Sequence, residues 1–184
     1  MRFVLQVICL LLALATEAWA TPEDEPAQPP QSFFQSAMQR AREVGTSLAV
    51  HAVEMIGVNY RWGGASPQSG FDCSGFVTHV FRQAAGVALP HSAHRLSQVG
   101  DRISKHELQP GDLVFYNTLK RAFSHVGIYL GNNKFIHAPA TGKQVQIADM
   151  DHPYWRARFE GARRIASASA ELEPEFQELR TVLR

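Results

Sequence analysis

The spacing of apolar residues changes its period along the chain. In the first half, apolar residues recur every three to four positions in runs that begin near Phe34 and just after Cys73, which predicts amphipathic helices. In the second half, short β-rich runs alternate with clusters of turn residues, which predicts strands connected by hairpins. Helices followed by an antiparallel meander predict an α+β domain.

The two helical runs differ in how clearly they end. The first extends from Phe34 to Leu48, but Gly45-Thr46-Ser47 favours a break, with Thr46 or Ser47 capping a second helix through about Ile56. The run after Cys73 has no such interruption. We expect it to end near Gly86, because glycine readily adopts the left-handed conformation that closes a helix.

Five short segments carry the strand pattern. They are Leu113–Tyr116, Val126–Leu130, Lys134–His137, Val145–Ile147 and Ala162–Ile165. Pro110-Gly111-Asp112 forms the turn that leads into the first of them, and Gly131-Asn132-Asn133 forms the turn between the second and the third.

The N-terminus has the features of a secretory signal peptide over residues 1–20. A charged Arg2 precedes the apolar run Phe3–Ala15, and Ala18-Trp19-Ala20 matches a small-x-small cleavage site. We therefore expect cleavage after Ala20 and a periplasmic or secreted protein without membrane contact after cleavage. The alternative is an uncleaved membrane anchor, although the apolar run is short for that role.

The rest of the chain divides by composition. Residues 21–31 are Pro-rich and acidic, which predicts a disordered linker. Residues 32–165 form the predicted domain, and residues 166–184 form a tail with a possible helix from about Pro174. The net charge of +1 provides no basic surface of the kind that nucleic acids or anionic lipids require.

Cys73 is the only cysteine after the signal peptide, so it has no partner for an internal disulfide. It is either a buried structural residue or a thiol kept for its chemistry. Its position at the start of a predicted helix favours chemistry, because the helix dipole and free N–H groups there stabilise a thiolate. We expect this position to lower the pKa of the thiol.

Cysteine catalysis also needs a base and a group that orients the base, and His125 and His137 lie in the same predicted hairpin. A three-residue loop at 131–133 would pair Gly127 with His137. The two histidines would then be diagonal neighbours on one face, with Cβ atoms about 5–8 Å apart. A two-residue loop would place them on opposite faces, and a bulge would change either outcome.

Two further interpretations of these residues remain open. A lone histidine in a strand is usually a structural residue whose nitrogens are hydrogen-bonded. Cys73, His125 and His137 also have the donor types that zinc prefers, but closely spaced ligand pairs and an obvious fourth ligand are missing from the sequence.

Six segments, in order, resemble the NlpC/P60 family of cell-wall cysteine peptidases. They are Tyr60-Arg61-Trp62-Gly63-Gly64, Asp72-Cys73-Ser74-Gly75-Phe76, Leu89-Pro90, Pro110-Gly111-Asp112-Leu113-Val114-Phe115, His125-Val126-Gly127-Ile128-Tyr129-Leu130-Gly131 and Phe135-Ile136-His137-Ala138. The resemblance covers about residues 48–165. It implies a papain-like α+β core, in which a helix carrying the cysteine packs on an antiparallel sheet carrying the histidines.

The resemblance also assigns roles to residues. It makes Cys73 the nucleophile, His125 the base and His137 the orienting group, and it makes Tyr60, Asp72 and Ser74 substrate-binding residues. One segment departs from the family pattern: His91-Ser92-Ala93-His94-Arg95-Leu96 stands where members often carry Arg-Thr-Ser-x-x-Gln. His91 would then be either a polar wall of the substrate groove or part of a plain surface loop.

The function implied by the resemblance is hydrolysis of peptidoglycan stem peptides without a cofactor. The scissile bond would be γ-D-glutamyl–diaminopimelate within a stem or D-alanyl–diaminopimelate between stems, and the sequence does not choose between them. A partner protein such as an adaptor or regulator is possible but not identified. The alternatives are a catalytically silent wall-binding module and a papain-like amidase or acyltransferase.

Overall fold

The computed structural model describes residues 31–165 of the 184-residue chain. The chain divides into two compact units, Met1–Phe34 and Gln35–Arg184. Only the last four residues of the first unit are described, whereas the sheet, the core and the cleft belong to the second. The predicted signal peptide, nearly all of the predicted linker and the tail lie outside the described residues.

The described residues form an α+β fold, which confirms the predicted class. Its regular elements are α1 (Gln31–Glu54), β1 (Ala65–Ser66), β2 (Gly70–Phe71), α2 (Cys73–Ala85), α3 (Ala93–Leu96), β3 (Asp101–Ile103), a 3₁₀ turn (Lys105–Glu107), β4 (Leu113–Tyr116), β5 (His125–Gly131), β6 (Lys134–His137), β7 (Gln146–Asp149), α4 (Pro153–Arg156) and β8 (Phe159–Arg164).

The main sheet has six antiparallel strands in the order β3-β8-β4-β5-β6-β7, and β1 and β2 form a separate small hairpin. The predicted meander is correct for β4 to β7. It is wrong for β8, which returns to lie between β3 and β4. The sequence did not predict β1, β2 or β3, because two or three residues are too few to show a period.

The predicted break in the first helix is wrong, because α1 continues through Gly45-Thr46-Ser47. Gly45 serves packing instead: a Cβ there would lie 2.3 Å from the carbonyl oxygen of Pro110. Thr46 donates its hydroxyl to the carbonyl of Arg42 within the helix, at 2.9 Å. The helix begins at Gln31, the last residue of the predicted linker, and ends at Glu54 rather than Ile56.

Both faces of the central strands are buried, which explains why β4 is an unbroken apolar run. Leu113 and Phe115 belong to a core cluster that includes residues of α2, whereas Val114 and Tyr116 belong to a second cluster. Helix α2 ends as predicted, at Gly86, whose φ of 66° is left-handed. The core cluster shared by α2 and the central strands fixes the first turn of α2 relative to the first residues of β5.

Candidate active site

The loop before α2 is held by one carboxylate. Asp72 is the N-cap residue of α2 and accepts from the backbone N–H of Gly75 at 2.6 Å. The same carboxylate accepts from the backbone N–H of Gly63 and from the hydroxyl of Ser74, each at 3.0 Å. Cys73 follows directly as the first residue of the helix. Its position is therefore fixed by a hydrogen-bonded cap.

The divergent segment lies against this cap. Nε2 of His91 is 3.0 Å from Oδ1 and 3.1 Å from Oδ2 of Asp72. Ser92 then caps the short helix α3, accepting from the backbone N–H of Arg95. Of the two possibilities for His91, the structure therefore supports a polar wall of the groove.

The two histidines of the predicted hairpin are hydrogen-bonded to each other. Nε2 of His125 lies 2.7 Å from Nδ1 of His137, and the two rings are nearly perpendicular at 89°, with centroids 5.0 Å apart. Both side chains are almost completely inaccessible, at 4% and 0% exposed. The prediction that they share a face of the sheet is confirmed.

The turn that produces this pairing differs from the expected one. Gly131 pairs with Lys134, so the loop has two residues, Asn132 and Asn133, both with positive φ. A bulge between Tyr129 and Gly131 compensates by shifting the register back by one residue. The predicted face is therefore correct although the expected turn is wrong, and the bulge is the physical reason.

A glycine in β5 makes room for the pair. A Cβ at Gly127 would lie 2.7 Å from a ring carbon of Phe135 and 3.2 Å from Cβ of His137. Glycine inside a strand often marks such a close approach. The close packing at Gly127 is a feature that sequence reasoning missed, although a glycine two residues after His125 in an apolar strand was a signal for it.

Trp155 is the second residue that sequence reasoning missed. Its ring lies 5.7 Å from the His125 ring at an interplanar angle of 26°, and 4.9 Å from the His137 ring at 90°. Phe135 completes the surroundings of His137, with centroids 4.9 Å apart. The signal in the sequence was the aromatic pair Tyr154-Trp155 just after a proline.

A cleft of about 390 Å³ opens in front of the first turn of α2. Tyr60, Asp72, Cys73 and Ser74 all line it, so four of the six sequence-predicted site residues share one cavity. His125 and His137 are buried next to the cleft wall, which reaches Ser124. The backbone N–H of Val126 is close enough to the thiol of Cys73 to lower its pKa, which places the start of β5 beside this thiol.

The expected lowering of the thiol pKa is wrong. Burial and the negative charge of Asp72 raise the pKa of Cys73 to about 11, and they outweigh the backbone N–H groups of Val126, Ser74 and Cys73 itself. Burial also lowers the pKa of His125 to about 4 and that of His137 well below its ordinary value. These shifts favour a neutral thiol and two neutral imidazoles in the resting site at neutral pH.

Residues 31–165 offer no group of three or more His, Cys, Asp or Glu side chains placed to hold a metal ion. Over the same residues, no helix is long and apolar enough to cross a membrane.

The burial of Tyr60 and its nearness to Cys73 and Asp72 raise the pKa of its phenol. Tyr60 is therefore a neutral hydrogen-bonding group beside the thiol.

Residues 57–164 match the NlpC/P60 family, which covers more than half of the chain. This protein belongs to the NlpC/P60 family. The resemblance found in the sequence is thus confirmed, and so is the fold. The crystal structure of the NlpC/p60 domain of the peptidoglycan hydrolase SagA has a TM-score of 0.58 at 33% identity, over 66% of this chain and 98% of that one.

Curated relatives extend this NlpC/P60 likeness. Murein DD-endopeptidase MepH of Escherichia coli K12 is 40% identical over 131 residues, covering 70% of this chain and 47% of MepH. Murein DD-endopeptidase MepS/Murein LD-carboxypeptidase of the same strain is 38% identical over 147 residues, covering 80% and 76%. Gamma-DL-glutamyl hydrolase of Bacillus subtilis 168 is 44% identical over 114 residues, covering 61% and 27%. The match thus spans about half of MepH and about a quarter of the glutamyl hydrolase.

Proposed function

We propose that this NlpC/P60 domain is a peptidoglycan endopeptidase that uses Cys73 as its nucleophile. The observation that carries the proposal is geometric: a cleft-lining thiol at a helix start contacts β5, the strand whose His125 is hydrogen-bonded to the buried His137 of β6. The names of the relatives support peptidoglycan as the substrate, since MepH and MepS are named murein endopeptidases.

The neutral resting state determines how the reaction begins. His125 uses Nδ1 to take the proton of Cys73 while Sγ attacks the carbonyl carbon of the stem peptide. The carbonyl oxygen becomes an oxyanion and accepts from the backbone N–H of Cys73 at the start of α2. The C–N bond then breaks, and His125 delivers the proton to the leaving amine.

The second half restores the thiol. A thioester between Cys73 and the acyl part of the peptide remains in the cleft after the amine leaves. Water attacks this thioester as His125 takes one of its protons, and the C–S bond breaks. His125 returns the proton to the sulfur, and the product is a carboxylic acid.

His137 orients His125 during these steps. For Nδ1 of His125 to accept a proton, the hydrogen on that ring must sit on Nε2 and be donated to Nδ1 of His137. The hydrogen bond also stabilises the imidazolium that forms in the transition state, the role that a carboxylate has in other triads. Tyr60, Asp72 and Ser74 are proposed to contact the peptide from the cleft walls.

The remaining assignments follow from the same proposal. We assign the catalytic domain to residues 32–165, which contain the whole family match. The substrate requires action outside the cytoplasm, and a cleavable signal peptide over residues 1–20 would provide it. The relatives include both a DD-endopeptidase and a γ-DL-glutamyl hydrolase, so either scissile bond is compatible with the family.

The test is digestion of defined muropeptides, cross-linked and uncross-linked, with products identified by mass. We expect hydrolysis at one of the two bonds, and no hydrolysis by Cys73→Ala. Binding without turnover would support the silent wall-binding module instead. Transfer of the acyl group to an added amine would support an acyltransferase, and loss of activity with a chelator, restored by zinc, would support a metal site.

A further inference from the structure

The cleft in front of Cys73 contains a carboxylate and a guanidinium, and they do not pair. Asp72 is the only acidic residue among the described residues that line the cleft, and its carboxylate is already engaged by the cap of α2 and by His91. Arg121 lines the same cleft and makes no hydrogen bond or ion pair with any residue that the structure describes. Its guanidinium is therefore available to an anionic group of a ligand.

Arg121 is carried by an anchored loop, residues 117–124, which joins β4 to β5. The hydroxyl of Ser124 accepts from two backbone N–H groups at the start of the loop, at 3.0 and 3.2 Å. The carboxylate of Glu160 accepts from the backbone N–H of Phe123 and forms no ion pair with Arg121. The backbone on both sides of Arg121 is thus held in place, while its side chain is exposed.

Two residues of the loop have a left-handed backbone. The φ angle is 54° at Lys120 and 50° at Phe123, and neither residue is a glycine. Residues in this conformation persist where surrounding contacts fix them, and they cluster at sites that bind ligands. They flank Arg121, so the part of the loop that presents the guanidinium is also the part with the unusual backbone.

The loop brings Arg121 to the cleft from the side of the proposed base. Ser124 lines the cleft and directly precedes His125, the first residue of β5. In the proposed mechanism, His125 delivers a proton to the leaving amine. The residue that carries this amine must therefore lie near β5 and the loop that leads into it.

Both candidate scissile bonds have the same residue on the leaving side. In the γ-D-glutamyl–diaminopimelate bond and in the D-alanyl–diaminopimelate bond, the amine that leaves belongs to diaminopimelate. This residue has two carboxyl groups, and only one of them continues the peptide. A free carboxylate therefore accompanies the leaving amine whichever of the two bonds is cleaved.

We propose that Arg121 is a specificity-determining residue that binds the free carboxylate of diaminopimelate on the leaving side. The proposal rests on the function proposed above, because that function supplies the substrate. A guanidinium can donate two parallel N–H···O bonds to one carboxylate, which fixes the orientation of the group as well as its charge. Because Arg121 is exposed, the ion pair stays partly solvated and its effect should be modest.

The experiment compares three muropeptides: one with both carboxyl groups free, one amidated at diaminopimelate and one amidated at the α-carboxyl of D-glutamate. Wild-type kcat/KM should be about 5-fold higher for the free acid than for the diaminopimelate amide, the upper range for an exposed ion pair. Arg121→Gln should abolish this preference. Arg121→Lys should keep part of it, since lysine provides the charge without the planar fork.

Lys120→Gln is the matched control, because Lys120 is an adjacent exposed cation that does not line the cleft. It should leave the preference unchanged, whereas added salt should reduce the preference of the wild type. Equal kcat/KM values for the free acid and the diaminopimelate amide in the wild type, or an unchanged preference in Arg121→Gln, would overturn the proposal. An effect of Arg121→Gln on the D-glutamate amide alone would overturn the assignment to diaminopimelate.

Binding to Cys73→Ala separates this proposal from the proposed function, since it needs no turnover. Cys73→Ala should bind the free acid more tightly than the diaminopimelate amide, and the double variant Cys73→Ala, Arg121→Gln should bind both equally. If the wild type hydrolyses no muropeptide but this binding difference is observed, the endopeptidase function fails and the role of Arg121 stands. If the wild type hydrolyses the free acid and the diaminopimelate amide equally well, the endopeptidase function stands and the role of Arg121 is wrong.

Discussion

The two halves of the site are held by opposite kinds of interaction. On the thiol side, the carboxylate of Asp72 accepts from four groups, the N–H of Gly63 and Gly75, the hydroxyl of Ser74 and the ring of His91. On the histidine side, a single hydrogen bond is enclosed by Phe135 and Trp155. Cys73, the proposed nucleophile, thus follows a cap held by several polar contacts beside an open cleft, whereas His125, the proposed base, is placed by aromatic packing.

The thiol side and the histidine side also differ in charge. Asp72 brings a negative charge to the thiol side and helps to raise the pKa of Cys73. On the histidine side both rings are buried, and burial lowers the pKa of each of them. Substitutions on the two sides should therefore fail in different ways, the first through hydrogen bonds and charge and the second through shape and tautomer.

Cys73→Ser should have the largest effect. We expect it to abolish muropeptide hydrolysis, because a hydroxyl is a far poorer nucleophile than a thiol activated by the same base. The thermal unfolding transition should stay close to that of the wild type, since the cap formed by Asp72 is unchanged. Turnover close to the wild-type rate would show that Cys73 is not the nucleophile.

The next-largest effects should distinguish the roles of the two histidines. His125→Ala should lose about 10²–10⁴ in rate, the usual loss for a direct acid–base group. His137→Asn and His137→Gln should keep measurable activity, because an amide oxygen still accepts a hydrogen bond. The rate of His137→Ala should lie between the rates of these amide variants and that of His125→Ala. Steady-state rates of the folded variants measure this order. If His137→Asn is as inactive as His125→Ala, the division of roles is wrong.

Acid should destabilise the histidine side specifically. The pKa of His125 falls from an ordinary 6.5 to about 4 on folding, and that of His137 also falls. The unfolded chain therefore binds more protons than the folded chain between these values. The free energy of unfolding should therefore be at its full value above about pH 6.5, and it should decrease as the pH falls towards 4.

Chemical denaturation at several pH values measures this decline, which should amount to a few kcal/mol. The double variant His125→Gln, His137→Gln lacks both groups, so its stability should depend less on pH over this interval. An equal slope in wild type and double variant would show that other groups are responsible for the loss in acid.

Gly127→Ala tests whether shape positions the base. The added Cβ would meet Phe135 at 2.7 Å and His137 at 3.2 Å, so overpacking should cost about 1–3 kcal/mol of stability and also lower kcat. Gly45→Ala on α1 is the matched control, since its Cβ would lie 2.3 Å from the carbonyl oxygen of Pro110. It should lose stability without loss of kcat. Equal kcat values for both variants would show that Gly127 does not help to position His125 and His137.

The sequence predicted the thiol side and the histidine side with unequal success. On the thiol side, the helix at Cys73 and its end at Gly86 were correct, because caps and glycines act over a few neighbouring residues, and Tyr60, Asp72 and Ser74 line the same cleft as Cys73. The sign of the pKa shift was wrong. The helix start was visible in the sequence, whereas the depth of burial depends on residues far along the chain.

On the histidine side, local pattern was less informative. The shared face of His125 and His137 was predicted, but the bulge that produces it was not, since the turn Asn132-Asn133 and the bulge compensate each other. Trp155 was missed because it reaches the pair from α4, an element of four residues with no period to detect. Contacts that depend on such a short connection are settled by tertiary packing.

Asp72→Asn should give the smallest effect, and it sharpens the electrostatic half of the comparison. Asparagine is as good an N-cap residue as aspartate, so its Oδ1 can still accept from the backbone N–H of Gly75, while the negative charge beside Cys73 and the acceptor for the backbone N–H of Gly63 are lost. Because Asp72 raises the pKa of Cys73, its removal should lower the pH midpoint of thiol alkylation by a neutral reagent. Burial is the larger cause of the raised pKa, so the midpoint of the variant should stay above the value of about 8.5 for free cysteine. A wild-type midpoint below neutral pH would mean that the resting site holds a thiolate, and a higher midpoint in Asp72→Asn would contradict the role of the carboxylate.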